Sequence, residues 1–103
     1  MSADEIIEQL KSKFNPEAAQ GKDLTFQFMI EGYQNYSLKV KDGTCVIVEG
    51  VVNDADVTLS MDKQDFKAML NKELNAMMAL MTGKLRIDGN PLLAMQLSQL
   101  FSI

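Results

Sequence analysis

Two alternating runs flank Asp42-Gly43, and this arrangement constrains the fold more than any other feature of the chain. Tyr36, Leu38 and Val40 alternate with Ser37, Lys39 and Lys41, and Cys45 and Ile47 follow the turn. Alternation is the period of a half-buried strand. Asp-Gly tolerates the two positive φ angles of a two-residue type I′ hairpin turn. Such a turn sets Lys41 opposite Thr44, Val40 opposite Cys45 and Leu38 opposite Ile47. Opposed residues share a face, so Cys45 and Ile47 join Leu38 and Val40 on the apolar side. Cys45 is expected there as a small core residue.

Three more runs have the same period. Leu24, Phe26, Phe28 and Ile30 alternate with Thr25, Gln27 and Met29, which gives a strand with one aromatic, buried face. Val57, Leu59 and Met61 alternate with Thr58 and Ser60 after a connection over residues 51–55. Leu85 and Ile87 alternate with Lys84 and Arg86, and Asp88-Gly89 is expected to turn the chain.

The remaining segments read as helices. Ser2-Ala3-Asp4-Glu5 forms a capping box, and Ile6, Ile7, Leu10 and Phe14 follow at helical spacing to about Phe14. Asn15-Pro16 starts a short second turn that Gly21 ends. Asp62 is an N-cap, with Asp65 three residues on, for a helix carrying Phe66, Met69 and Leu70. Residues 71–75 form a polar loop, and Asn75 caps the run Ala76–Met81, which is apolar on every side and stops at Gly83. Asn90-Pro91 opens a final helix to about Ser102, with Leu92, Leu93, Met95, Leu97, Leu100 and Phe101. Its apolar residues cover far more than the ~100° stripe of a surface helix. Two segments therefore carry more apolar surface than a small domain hides with ease.

Length and composition bound the function classes. At 103 residues the chain is one domain, 1–103, large enough for one modest core. A net charge of −4 argues against a nucleic-acid partner, which needs a basic footprint. With no histidine, the commonest general base and zinc ligand are gone, as is any Ser-His or Cys-His pair. A single cysteine makes no internal disulfide and fits a reducing compartment. No run approaches the ~18 apolar residues of a membrane span, so no stable membrane insertion is expected. The acidic start is no signal peptide, and Phe101-Ser102-Ile103 is no peroxisomal tail. These readings give a cytoplasmic binding module rather than an enzyme.

Few residues offer chemistry. Asp54 and Asp56 lack further oxygen ligands and read as a solvated loop, so no metal site is expected. Gly83-Lys84-Leu85 lacks the preceding glycines and following hydroxyl of a phosphate loop. Lys39, Lys41, Lys84 and Arg86 lie on the polar sides of strands 2 and 5, and would make a basic patch only if those strands were neighbours. The methionines beyond Met1 carry more information: any one of them fits ordinary core packing, where Met fills irregular gaps, but as a set they suit surfaces that adapt to several apolar shapes.

Several of these residues together are similar to the sterol carrier protein type 2 family. Asp56-Val57-Thr58-Leu59-Ser60-Met61 followed by Asp65-Phe66 resembles one of its motifs. Gly83-Lys84-Leu85-Arg86-Ile87-Asp88-Gly89-Asn90 before Leu93-Ala94-Met95-Gln96-Leu97 resembles another. The resemblance implies an α+β fold: a five-stranded, mainly antiparallel sheet covered on one face by helices, with a hydrophobic tunnel between them. It implies a lipid or fatty acyl ligand (a fatty acid, fatty acyl-CoA or sterol-like molecule), bound without catalysis or cofactor. Two departures matter. The first helix is acidic rather than basic, which argues against electrostatic docking on anionic bilayers. Thr82 stands where many members have glutamine, so no headgroup contact transfers from that position.

The expected lining is Phe66, Leu70, Met77, Met78, Leu80, Met81, Leu93, Leu97, Leu100 and Phe101, with Phe28, Leu59 and Ile87 as the opposite wall. The alternative is an interaction module with a closed core and no lipid, its last helix packed on a partner or on a twin subunit in a homodimer.

Overall fold

The computed structural model describes residues 3–101, without the side chains at positions 3, 4, 6, 7, 76 and 98. The elements run α1 (Ala3–Ser12), β1 (Asp23–Glu31), β2 (Tyr36–Lys41), β3 (Thr44–Glu49), β4 (Val57–Asp62), α2 (Lys63–Leu70), α3 (Ala76–Met81), β5 (Arg86–Gly89) and α4 (Pro91–Leu100). The Ser2 capping box lies outside the described residues, as does the end of the last helix at Ser102.

The hairpin forms as its sequence dictates. Asp42 has φ 47° and Gly43 φ 81°, and Lys41, Val40 and Leu38 lie opposite Thr44, Cys45 and Ile47. The strands make one sheet in the order β3-β2-β1-β4-β5. All neighbours are antiparallel except β1 and β4, which are parallel. The helices pack on one face: α1 against β3, α2 against β1 and β4, and α4 against β4 and β5. Phe26, Phe28, Leu38, Val40, Leu59 and Met61 point into this layer and are buried.

The parallel pair requires the chain to leave edge strand β3, pass β2 and β1, and enter beside β1. The crossover runs over the outer face of the sheet, and Gln27 holds it there. Gln27 points away from the helices yet is only 2% exposed. Its Nε2 donates to the Tyr36 and Gly50 carbonyls at 3.1 Å, and its Oε1 accepts from the Val52 N–H at 2.8 Å. Asp56 pins the far end, its Oδ2 accepting from the Thr25 N–H at 2.8 Å. These bonds meet the demand that buried amide groups be paired.

Three helix starts follow from their caps. Asp62 Oδ1 accepts from the Asp65 N–H at 2.7 Å, and Asn75 Oδ1 from the Met78 N–H at 2.7 Å. Asn90 Oδ1 accepts from the Leu92 N–H at 2.9 Å, with Pro91 at the first helical position.

Some boundaries differ from expectation. α1 ends at Ser12, because Phe14 leaves the helix to bridge Phe101 in antiparallel fashion. Asp88 and Gly89 do not turn the chain: they extend β5, opposite Thr58 and Val57. Gly89 is a glycine for another reason. Its φ is 120°, and a Cβ there would lie 3.0 Å from the Asp56 carbonyl oxygen. Leu85 lies before β5 but is buried all the same.

Candidate functional site

α3 is six residues long, bounded by the Asn75 cap and by Gly83 at φ 78°. An all-apolar helix this short, lying at the protein surface, cannot hide every side. It turns Ala79 fully inward and holds Leu80 half-buried. Met77, Met78 and Met81 stay outside at 46%, 50% and 75% exposure. In α4, Ala94, Leu97 and Leu100 recur at three-residue steps and face the core. Leu93 is half-buried, and Leu92, one position earlier, points out at 73%. α3 contacts α4. Met77, Met78, Met81 and Leu92 thus put large apolar side chains in water on two contacting helices.

The expected lining therefore divides. Phe28, Leu59, Phe66, Leu70, Leu97, Leu100 and Phe101 are all 0–2% exposed. Leu80, Ile87 and Leu93 are half-buried, and the three methionines of α3 are exposed. A side chain lining a channel wide enough for a methylene chain would present surface to a water-sized sphere. The seven interior residues present almost none, so the expected tunnel is closed along them. The Phe28 and Phe66 rings meet at 5.8 Å and those of Phe14 and Phe101 at 5.4 Å. Met61 and Met69, buried to 2% and 1%, lie in the same core, where thioether chains fill irregular gaps. Among the described residues, surface depressions lie elsewhere. One of about 340 Å³ is bordered by Glu5, Glu8, Gln9 and Ser12, and one of about 280 Å³ by Gln20, Gly21 and Asp42.

Leu92 is the one member of the exposed group missing from the expected lining. Adjacent helical residues lie ~100° apart, so Leu92 and Leu93 point in different directions, and here Leu92 is the one turned to water.

The other chemical candidates resolve into structural roles. β1 and β4 separate β2 from β5, so the four basic residues form no patch. Arg86 instead pairs with Glu31 at 3.1 Å on the exposed side. Burial pushes the Cys45 thiol up from 9.0 to about 11, against a smaller opposing effect of Lys11, so the reactive thiolate is scarce at neutral pH. Among the described residues no three His, Cys, Asp or Glu side chains come together as a metal site.

An apolar layer between one sheet face and its helices, with methionine and leucine exposed on the outer sides of α3 and α4, makes a small α+β domain built around apolar contact. The chain belongs to the SCP-2 sterol transfer family, which it matches over residues 3–102. The crystal structure of sterol carrier protein 2 like 2 from Aedes aegypti is 26% identical, with a TM-score of 0.76 over 95% of this chain and 94% of that one. The solution structure of palmitated SCP2L2 from Aedes aegypti is 27% identical, with a TM-score of 0.79 over 96% and 93%. Hydroxysteroid dehydrogenase-like protein 2 of Xenopus tropicalis is 33% identical over 99 residues, covering 93% of this chain and 24% of that protein. The chain spans about a quarter of the length of such curated relatives.

Proposed function

We propose that this chain binds a fatty acyl or similar lipid between the sheet and α3–α4, and carries it without chemical change. The observation that carries this reading is the exposure of Met77, Met78, Met81 and Leu92 on the two contacting helices α3 and α4. Open water is a costly place for such side chains, which supports α3 and α4 as the elements that part to admit the ligand.

The energetics favour a closed resting state that yields to ligand. A sixteen-carbon chain gains on the order of 12 kcal/mol on leaving water, at ~0.8 kcal/mol per CH₂. Opening the layer draws on that gain. α3, at six residues the shortest of the described helices, has the least stability of its own and is the cheapest helix to move. A membrane offers the lipid the same transfer gain, so the domain acts as a carrier rather than a sink. The palmitated state of the Aedes protein supports a fatty acyl ligand; acyl-CoA and sterol-like molecules share its apolar chemistry. The dehydrogenase-like name belongs to the relatives as whole proteins. Among the described residues no helix is long and apolar enough to cross a membrane. We place the action in the cytoplasm.

A fluorescent fatty acid titrated into the purified protein tests the reading. Saturable binding that a non-fluorescent fatty acid competes away supports it; no uptake by folded protein refutes it. The closed interior favours one second reading, an interaction module whose core admits no lipid, and that same negative result would select it.

A further inference from the structure

The two edges of the sheet are built differently. β5 is four residues long and carries Arg86 and Asp88, the charged, short form that discourages edge-to-edge pairing. β3 is six residues long, Thr-Cys-Val-Ile-Val-Glu, with no proline, lysine or bulge. Its outward-facing Val46 and Val48 are 58% and 52% exposed. We propose that β3 pairs antiparallel with β3 of a second copy of this chain, joining two sheets into one of ten strands.

The hairpin geometry fixes which groups are available. Across a two-residue turn the flanking pair is hydrogen-bonded, and bonded and non-bonded pairs then alternate. Lys41–Thr44, Lys39–Val46 and Ser37–Val48 are therefore the bonded pairs, and the Gly50 N–H donating to the Asn35 carbonyl at 2.8 Å continues the series. Cys45, Ile47 and Glu49 then direct their N–H and C=O groups away from β2, along the open edge.

One register uses all of them. With a two-fold axis at Ile47, Ile47 faces the partner's Ile47 and Cys45 faces the partner's Glu49. All three outward residues of each copy then exchange bonds, six in total by this geometry. The same register sets Val46 against the partner's Val48 in the close, non-bonded pairing, gathering four valines on the outer face. Cross-strand β-branched pairs of this kind stabilise sheets.

Charge agrees with it. Lys11, in the last turn of α1, acts electrostatically on Cys45. The partner's Glu49 arrives opposite Cys45, so each copy offers an ammonium to the other's carboxylate. The contact joins one strand edge to another, a narrow strip of the kind that associates reversibly and with concentration dependence.

Hydrogen exchange by NMR, run alongside sedimentation velocity over a concentration series, tests the pairing residue by residue. The amides of Cys45, Ile47 and Glu49 should gain protection as sedimentation shifts towards a dimer, while those of Thr44, Val46 and Val48 stay as they are. V46E/V48E, whose changes fall on exposed positions, should stay folded and lose the concentration dependence. V46E/V48K should regain it, because the carboxylate at 46 then faces the partner's ammonium at 48. A wild-type chain that stays monomeric at every concentration, with edge amides unprotected, overturns the proposal. So does V46E/V48E that associates like wild type, or protection that appears only when a different protein is added. None of these readouts depends on whether the domain holds lipid.

Discussion

Met81→Glu separates a role in the site from a role in the core. Met81 is 75% exposed, so only about a quarter of its burial energy is at stake. Full burial of such a side chain is worth about 2–3 kcal/mol, which leaves about 0.6 kcal/mol to lose. A carboxylate in the last turn of α3 also meets the negative end of the helix dipole, costing a further ~0.3 kcal/mol. The folded state should therefore lose about 1 kcal/mol, a melting shift of about 4–8 °C in a domain of this size. Binding should suffer far more. The proposed opening turns α3 so that Met81 meets the ligand and loses its water, and an unpaired carboxylate in that apolar setting costs at least about 2.7 kcal/mol, a hundredfold in affinity. The assay is paired: a thermal melt for stability, and displacement of a fluorescent fatty acid for affinity. A folded variant that binds as tightly as wild type would remove α3 from the ligand's path and refute the argument.

Three further outcomes follow from the packing. Leu97→Ala, at 1% exposure, should lower stability by about 2–5 kcal/mol in a denaturant titration, since it opens a cavity in the closed layer. Gly89→Ala should cost about 1–3 kcal/mol by thermal melt, because its φ of 120° and the 3.0 Å approach of its Cβ to the Asp56 carbonyl leave no relaxed position. The Cys45 thiol, raised from 9.0 to about 11, is favoured in its neutral form by the folded state. Its contribution to stability is full below pH 9.0 and is lost as pH rises towards about 11, so melts above pH 9 should fall, and Cys45→Ser should blunt that fall. At neutral pH the same thiol should react with a disulfide reagent more slowly than free cysteine.

What the sequence revealed was local. Asp42-Gly43 carried its own turn type and register. Asp62, Asn75 and Asn90-Pro91 carried their helix starts, because a cap acts through neighbours two or three positions away. The family motifs covered the second half of the chain, and the family holds over residues 3–102. Non-local choices were not legible. The parallel pairing of β1 with β4 depends on a crossover that Gln27 grips from the outer face, and no periodicity announces that a glutamine on a strand's polar side will be 2% exposed. Asp88-Gly89 had turn chemistry, yet pairing with Thr58 and Val57 outweighed it. The candidate site was legible as an excess and not as a shape. Apolar runs marked α3 and α4. Which methionines point outward, and that Phe28 and Phe66 meet across the layer instead of lining a channel, depend on packing between elements far apart in the chain.

A closed apolar layer that opens to hold a lipid should leave the cell with one bound. Native mass spectrometry of protein purified gently from cells, set beside its denatured mass and an organic extract, reads this out. The expected native mass exceeds that of the bare 11.5 kDa chain by one lipid, released on denaturation and recovered in the extract. A native mass equal to the bare chain, unchanged after incubation with fatty acid, would contradict it and leave the layer as a core filled by its own side chains.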